Sequence, residues 1–141
     1  METRSGRVLT APHLAWPLGV AAIFIGLCSR LKAPDRRSFS AVLVAGAGGA
    51  YFNGGFGVWE YLFSCVLLFT AYRGCDDYRF ISVGWLLHTV WDVMHHLWGK
   101  PIISFVPTSS AGCAICDLAL AAWYWCDAPA MRTENLIQVT R

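Results

Sequence analysis

Four ionisable side chains share one face of a helix that is predicted between residues 80 and 98. At about 100° per residue, and with His88 as the origin, Asp92 falls at about +40°, His95 at about −20° and His96 at about +80°. The rest of the segment is apolar enough to cross a membrane. Ionisable groups are costly in hydrocarbon unless they face protein or water, so this face is the predicted functional site.

Metal-free acid–base catalysis is the first chemistry that these residues predict. A carboxylic acid in an apolar site can hold its proton and donate it, while a neighbouring imidazole or carboxylate removes another. We therefore expect His88 and Asp92 to form an acid–base pair that isomerises or cyclises a small lipophilic substrate without a cofactor. Further catalytic groups are expected on this and other helices, namely His95, Glu60 and Asp117. Tryptophan faces can stabilise a developing cation, and the predicted substrate-binding residues are Trp85, Trp91, Trp59 and Cys113.

Metal binding is the alternative chemistry. Asp92 and His95 are three residues apart, a spacing related to the ligand pairs of carboxylate-bridged metal sites in helical bundles. Imidazole and carboxylate suit iron or zinc, which would make the protein a metal-dependent membrane oxidoreductase or hydroxylase. The alternative ligands are His88, Asp92, His95 and His96.

The composition predicts an all-α, polytopic transmembrane helical bundle. Hydrophobic residues make up 56% of the 141 residues, the mean hydropathy is +0.47, and only 14% of residues are charged, against about 25% in an average soluble domain. The charges are clustered between long uncharged stretches. The net charge of +2 is interpreted as a topology signal, since no basic stripe typical of nucleic-acid binding is present.

Five spans are predicted within a single transmembrane domain that covers residues 1–141. The apolar run from 39 to 72 is too long for one span and is interpreted as a hairpin of two short ones, in which Gly46-x-x-x-Ala50 permits close helix packing. Ser109 or Ser110 is the expected N-cap of the last span. The spans are about 11–29, 39–53, 56–72, 80–98 and 109–126, followed by a polar tail at 127–141.

The distribution of Lys and Arg predicts the orientation. Placing the 30–37 loop in the cytoplasm puts eight of the 11 basic residues inside, with Arg4, Arg7 and Lys100 outside. The N-terminus is then outside, the C-terminus is cytoplasmic, and the 30–37 and 73–79 loops share one side. In this arrangement the acidic residues and histidines of the last three spans lie at similar depths in the outer half of the bundle.

The six cysteines are predicted to form no disulfide, because most lie within or at the ends of apolar segments. Cys113 and Cys116 form a CxxC pair inside a predicted helix, which is a weak metal or redox signal.

Three resemblances to known families depend on the helix from 80 to 98. The pattern His88-x-x-Trp91-Asp92-x-x-His95-His96, with Cys113-x-x-x-Asp117 after it, resembles a family of small multi-pass membrane proteins of unknown function. The pair His88-x-x-x-Asp92, with acids on other helices and five spans, is similar to the emopamil-binding sterol isomerases, which implies an isomerase. Asp92-x-x-His95-His96 is similar to the HxxHH box of membrane desaturases and hydroxylases, with Asp in place of the first His.

Non-enzymatic functions are left open by the sequence. Chains of histidines and carboxylates relay protons in membranes, so a proton or metal-ion conduit is one alternative. An accessory membrane subunit that packs through its Gly-rich hairpin is another. A homodimer is also left open, because a metal site could be shared across two copies of the chain. Membrane lipid is the expected surrounding, in the plasma membrane or the endoplasmic reticulum.

Overall fold

The computed structural model describes residues 11–129, and this part of the chain contains five α-helices and no strand. The all-α fold and the number of helices predicted from the sequence are therefore confirmed. The helices are α1 (Ala11–Cys28), α2 (Ala33–Ala47), α3 (Val58–Gly74), α4 (Tyr78–Leu97) and α5 (Ser109–Trp125).

The second helix lies earlier in the chain than predicted. It begins at Ala33 rather than near residue 39 and ends at Ala47 rather than near residue 53. The prediction placed its start at the first apolar residues, but Pro34 and Asp35 occupy the first turn, where proline and an acidic side chain are both favourable. Arg36 in this turn is buried, and its guanidinium donates to the carbonyl oxygens of Leu31 and Ala128.

The helices run up and down, so that alternate connections meet at the same end of the bundle. The hydroxyl of Tyr78 donates to the carbonyl of Ala33 at 3.1 Å, which joins the α1–α2 and α3–α4 connections. At the opposite end the N–H of Lys100 donates to the carbonyl of Gly54 at 2.8 Å. We call these the Tyr78 end and the Lys100 end. The 30–37 and 73–79 loops share one end, as predicted.

Helix α4 occupies the centre of the bundle and packs against α2, α3 and α5, while α1 packs against α5. The apolar core near the Tyr78 end contains side chains from all five helices, including Ala21, Val44, Leu67, Ile81 and Tyr124. The polar side chains described below occupy the Lys100 half of the same interior.

Close helix packing depends on glycines other than the one predicted. A Cβ atom on Gly48 would lie 3.1 Å from the Cα of Ser64, and one on Gly84 would lie 2.5 Å from Cγ1 of Val44. Gly46 has nothing within 4 Å of that position, so the predicted close approach at Gly46 is wrong. Gly46 is exposed because it lies on the outer side of α2.

Gly84→Ala is expected to lower the free energy of unfolding by about 1–3 kcal/mol, because its methyl group overlaps Val44 where α2 crosses α4. Gly46→Ala is the matched control and is expected to be neutral or to stabilise α2 by up to about 1 kcal/mol. Thermal unfolding of the two purified variants measures the difference. Equal midpoints would contradict the packing described for Gly84.

The bundle carries apolar side chains outside and polar side chains inside. Large residues on several helices are more than half exposed, among them Ile23, Val42, Val58, Phe69 and Tyr72. Buried residues include several with hydroxyl, imidazole or carboxyl groups, among them Ser40, Glu60, Ser82, His88, Asp92, His95, Ser110 and Asp117. Taken singly, no helix between residues 11 and 129 combines the length and the apolar composition needed to cross a membrane.

Candidate functional site

His88, Asp92 and Asp117 meet in the interior, where α4 packs against α5. Nδ1 of His88 lies 2.7 Å from Oδ2 of Asp117 and 3.3 Å from Oδ2 of Asp92. Asp92 is fully buried, and the other two residues are at most 6% exposed. The helical spacing of four residues places His88 and Asp92 on one face of α4, and α5 brings Asp117 to that face. We call these three residues the buried triad.

The hydrogen bond to the backbone shows that Nε2 of the His88 imidazole carries a proton. Nε2 of His88 lies 3.1 Å from the carbonyl oxygen of Ala47 at the end of α2. A carbonyl oxygen only accepts, so Nε2 donates, and Nδ1 is the atom that faces the two carboxylates. The second oxygen of Asp92, Oδ2, has no hydrogen-bond partner among the described residues. Nδ1 of His88 and one oxygen each of Asp92 and Asp117 are therefore close enough to share a proton.

Tyr51 completes this group and was not among the predicted site residues. It lies in the α2–α3 connection, is buried, and donates its hydroxyl to Oδ1 of Asp92 at 2.6 Å. The signal in the sequence was a tyrosine within the Gly-rich turn from Gly48 to Gly57, but the turn had been assigned partly to a helix.

Glu60 and His95 form a second pair nearer the Lys100 end. Oε1 of Glu60 lies 3.8 Å from Nε2 of His95. Both oxygens of Glu60 accept backbone N–H groups, from Asn53 at 2.8 Å and Phe56 at 2.9 Å, so this carboxylate also holds the α2–α3 connection in place. Nδ1 of His95 donates to the carbonyl of Trp91 at 2.9 Å.

The imidazole of His95 is held on every side. The ring of Tyr51 stacks on it with centroids 3.7 Å apart, and Phe56 meets it edge-on at 4.5 Å. A Cβ atom on Gly54 would lie 2.6 Å from Nε2, and one on Gly99 would lie 2.7 Å from Cδ2. Only glycine fits at these two positions without displacing the imidazole. Tyr51 therefore links the two groups, through its hydroxyl to Asp92 and through its ring to His95.

Of the three tryptophans predicted to bind substrate, two lie beside the histidines of the site and one lies on the outer surface. Trp91 stacks on Phe63 with centroids 4.4 Å apart and meets His95 at 5.1 Å, while Trp85 meets His88 edge-on at 6.2 Å. Trp59 is 64% exposed, so its predicted position beside the site is wrong. A tryptophan in the first turn of α3 falls on the outer face when Glu60 faces inward.

Cys113 and His96 also have different positions relative to the triad. Cys113 is half-buried on α5, four residues before Asp117. His96 is half-buried and is not part of the group of possible metal ligands in the described part of the chain, which consists of the buried triad alone. The alternative metal ligand set predicted from the sequence is therefore wrong in two members, His95 and His96, and lacks Asp117.

Two serines predicted as N-caps have another role. Helix α5 follows Thr108, and Ser109 and Ser110 lie inside its first turn. Their hydroxyl oxygens accept the N–H groups of Ile103 at 3.0 Å and Ile102 at 3.2 Å. They hold the α4–α5 connection over the end of the bundle.

A cavity of about 520 Å³ opens at the Lys100 end. Glu60 and Lys100 contribute opposite charges to its wall, which is completed by Asn53, Gly55, Gly57, Val58 and Tyr61. The five predicted catalytic residues form two groups, the buried triad and the Glu60–His95 pair, and of the five only Glu60 lines this cavity.

One protein-family profile matches most of the chain. The profile of DUF6010, a family of unknown function, matches residues 13–130. The chain belongs to DUF6010. This confirms the predicted membership of a family of unknown function, and the matched region of DUF6010 contains every residue of both polar groups. No curated protein and no solved structure matches the chain.

Tyr51→Phe in this DUF6010 chain is expected to lower the free energy of unfolding by about 1–3 kcal/mol. The phenyl ring preserves the stacking on His95, but Oδ1 of Asp92 loses its donor in a buried setting. Tyr61→Phe is the matched control, because Tyr61 is 54% exposed and is expected to change by less than about 0.5 kcal/mol. Thermal unfolding compares the two variants, and equal midpoints would argue against the hydrogen bond.

Proposed function

We propose that the chain is a multi-pass membrane protein and a membrane-embedded enzyme that performs acid–base chemistry on a small lipophilic substrate. The orientation proposed is the one that the basic residues favour, with the Tyr78 end in the cytoplasm and the Lys100 end outside.

The distribution of side chains supports the membrane location. The outer face of α3 bears Val58, Leu62, Phe69 and Tyr72, each more than half exposed. Monomeric soluble proteins rarely expose contiguous apolar patches beyond roughly a few hundred Å². Apolar residues outside and ionisable residues inside suit a lipid environment, in which ionisable groups turn towards the interior of a bundle. Because α2 has only 15 residues, we propose that the bundle rather than each helix matches the bilayer.

The buried triad supports the acid–base chemistry, and its hydrogen bonding to Tyr51 is the observation that carries the proposal. Two carboxylates and an imidazole in contact share protons as one unit, because adjacent buried carboxylates do not both carry a negative charge without compensation. Tyr51 adds a hydroxyl that exchanges a proton with Asp92. A substrate reaching this group would meet a proton donor and a proton acceptor a few ångströms apart.

The surroundings of the triad favour a lipophilic substrate of small size. The rings of Trp85, Trp91 and Phe63 lie beside the histidines and present aromatic faces, which stabilise the positive charge that develops when an alkene is protonated. The Glu60–His95 pair lies between the triad and the cavity at the Lys100 end. In this proposal the pair exchanges protons with water, and the triad exchanges them with the substrate.

The membrane part of the proposal is tested by fractionation. The full chain, expressed in cells, is expected to stay with the membrane pellet after alkaline carbonate extraction and to enter detergent micelles. Recovery of the folded chain in the carbonate supernatant would contradict it.

The enzymatic part is tested by searching for a conversion that conserves mass. The purified chain in detergent is incubated with a lipid extract, and the extract is analysed by chromatography and mass spectrometry before and after. Isomerisation or cyclisation is expected to move one compound to a new retention time at unchanged elemental composition. A time course without any such compound, in extracts from cells that express the protein, would contradict the proposal.

A further inference from the structure

We propose that the buried triad binds one divalent transition-metal ion through Nδ1 of His88 and one oxygen each of Asp92 and Asp117. The inference deepens the proposed function, on whose buried site it rests, and names the ligand of that site. It depends on the positions and hydrogen bonds of the three side chains.

The three ligand atoms converge, and they all lie within 4.8 Å of one another. Nε2 of His88 donates to the carbonyl of Ala47, and Nδ1 faces the two carboxylates, with a hydrogen bond of 2.7 Å to Oδ2 of Asp117. Such a set is repulsive unless a cation occupies its centre, and that cation is either a proton or a metal ion.

Oδ2 of Asp92 makes no hydrogen bond within residues 11–129 although the side chain is fully buried. Its contact with Nδ1 of His88 is a longer one of 3.3 Å. Buried polar atoms are almost always satisfied, and one that is not calls for an explanation such as a bound ion. Oδ1 of the same carboxylate is occupied by Tyr51, so Oδ2 is the oxygen free to bind the ion.

Two of the three ligands are already held in place by neighbouring groups. Metal-binding histidines usually donate their second ring N–H to a carbonyl or carboxylate, and metal-binding carboxylates are themselves hydrogen-bonded. Ala47 does this for His88 and Tyr51 does it for Asp92. These partners fix the orientation of both ligands before an ion binds.

One imidazole and two carboxylates suit manganese, iron or zinc. Ligand atoms around a tetrahedral ion lie about 3.3 Å apart, so the 3.3 Å contact of His88 with Asp92 needs no change and the 2.7 Å contact with Asp117 widens by about 0.6 Å. Such an ion would be held by His88, Asp92 and Asp117 and would supply a Lewis acid for an oxygen of the substrate, while Oδ1 of Asp92 would keep its hydrogen bond to Tyr51. Tyr51 is not a ligand and remains the group that donates a proton to the substrate.

Mn²⁺ is the probe for the test, since the exposed thiols of Cys65, Cys75 and Cys126 favour softer ions such as Zn²⁺. The full chain is purified in chelator, freed of it and titrated with Mn²⁺, and binding is followed by electron paramagnetic resonance. We expect one ion per chain, a raised unfolding midpoint, and spin-echo modulation from one imidazole nitrogen that changes when histidine is labelled with ¹⁵N. Binding without nitrogen modulation, or no saturable binding, would overturn the inference.

Variants locate the site. Asp117→Asn is expected to weaken Mn²⁺ binding at least tenfold, and the control Asp127→Asn, at an exposed position, is expected to leave it unchanged. Equal weakening by both substitutions would overturn the assignment. If Asp117→Asn fails to fold, the nitrogen modulation of the wild-type chain still decides.

The outcome is distinguishable from failure of the proposed function. Bound Mn²⁺ with no conversion of any lipophilic compound would support the metal site and reject the enzyme. Conversion at full rate by chelated protein that binds no Mn²⁺ would support the enzyme and reject the metal site.

Discussion

His88→Ala is expected to lower the free energy of unfolding by about 3–5 kcal/mol. The substitution removes the imidazole that lies 2.7 Å and 3.3 Å from the carboxylates of Asp117 and Asp92, and it leaves two buried acids facing each other. Removing one partner of a buried ion pair is among the most destabilising single changes, because the charge of the other partner is left uncompensated. Thermal or denaturant unfolding of the purified chain measures the loss.

Two further variants separate this effect from the loss of packing at His88. Adding Asp117→Asn to His88→Ala is expected to recover part of the stability, because one of the two facing acids is then neutral. His96→Ala is the matched control on the same helix, at a half-buried position outside the triad, and is expected to cost less than about 1 kcal/mol. If the double variant were no more stable than His88→Ala, repulsion between the carboxylates would not be the cause.

Asp92→Asn is expected to reduce the rate of the lipophilic conversion at least 100-fold while the chain stays folded. Asparagine keeps the volume of the side chain and an oxygen for Tyr51, so the packing between α4 and α5 is preserved. It cannot accept or donate the proton that the reaction requires, and general acid–base catalysis typically contributes about 10²–10⁴-fold. Product formation is followed by chromatography, with the unfolding midpoint measured on the same preparation.

The control for this prediction is Asp127→Asn, which removes an exposed carboxylate outside the site. It is expected to retain the wild-type rate. Full activity in Asp92→Asn would reject the role given to Asp92. An unfolded Asp92→Asn chain would show instead that the carboxylate is needed for the bundle itself.

The arrangement of the triad followed closely from the sequence. Residues 88 and 92 share a face of any α-helix, and acids at 60 and 117 were expected on the helices packed beside it. The sequence did not predict which of these two acids contacts His88. Asp117 rather than Glu60 contacts His88, because α4 packs most extensively on α5, whereas Glu60 binds backbone N–H groups of the connection that precedes it.

The sequence does not identify Tyr51 as a site residue because it predicts a second helix that extends to about residue 53. The apolar run after residue 39 resembled a span through residue 53, and a tyrosine at its end had no reason to face inward. The helix ends instead at Ala47, and the following turn folds back over the end of the bundle. The positive φ angles of Asn53, Gly55 and Gly57 make that return possible. Turn geometry of this kind depends on contacts with distant residues such as His95.

The close approach at glycine was predicted at the wrong position for a related reason. A small-x-x-x-small pattern identifies a stripe of small residues but not the direction in which the stripe faces. The boundary and rotation of α2 place Gly46 outside and Gly48 against Ser64. Residues 46 and 48 are about 200° apart on a helix and so face nearly opposite sides, and the sequence pattern does not show which of the two faces the neighbouring helix.

The most direct test of proton transfer by the buried triad is whether a hydrogen atom of the product comes from the solvent. The wild-type chain is incubated with the lipid extract in D₂O, and the product of the mass-neutral conversion is analysed for deuterium. Protons on Asp92 and Tyr51 are predicted to exchange with solvent through the Glu60–His95 pair, so the product is expected to carry deuterium at one carbon position. A product formed in D₂O without carbon-bound deuterium would contradict proton transfer by the buried triad.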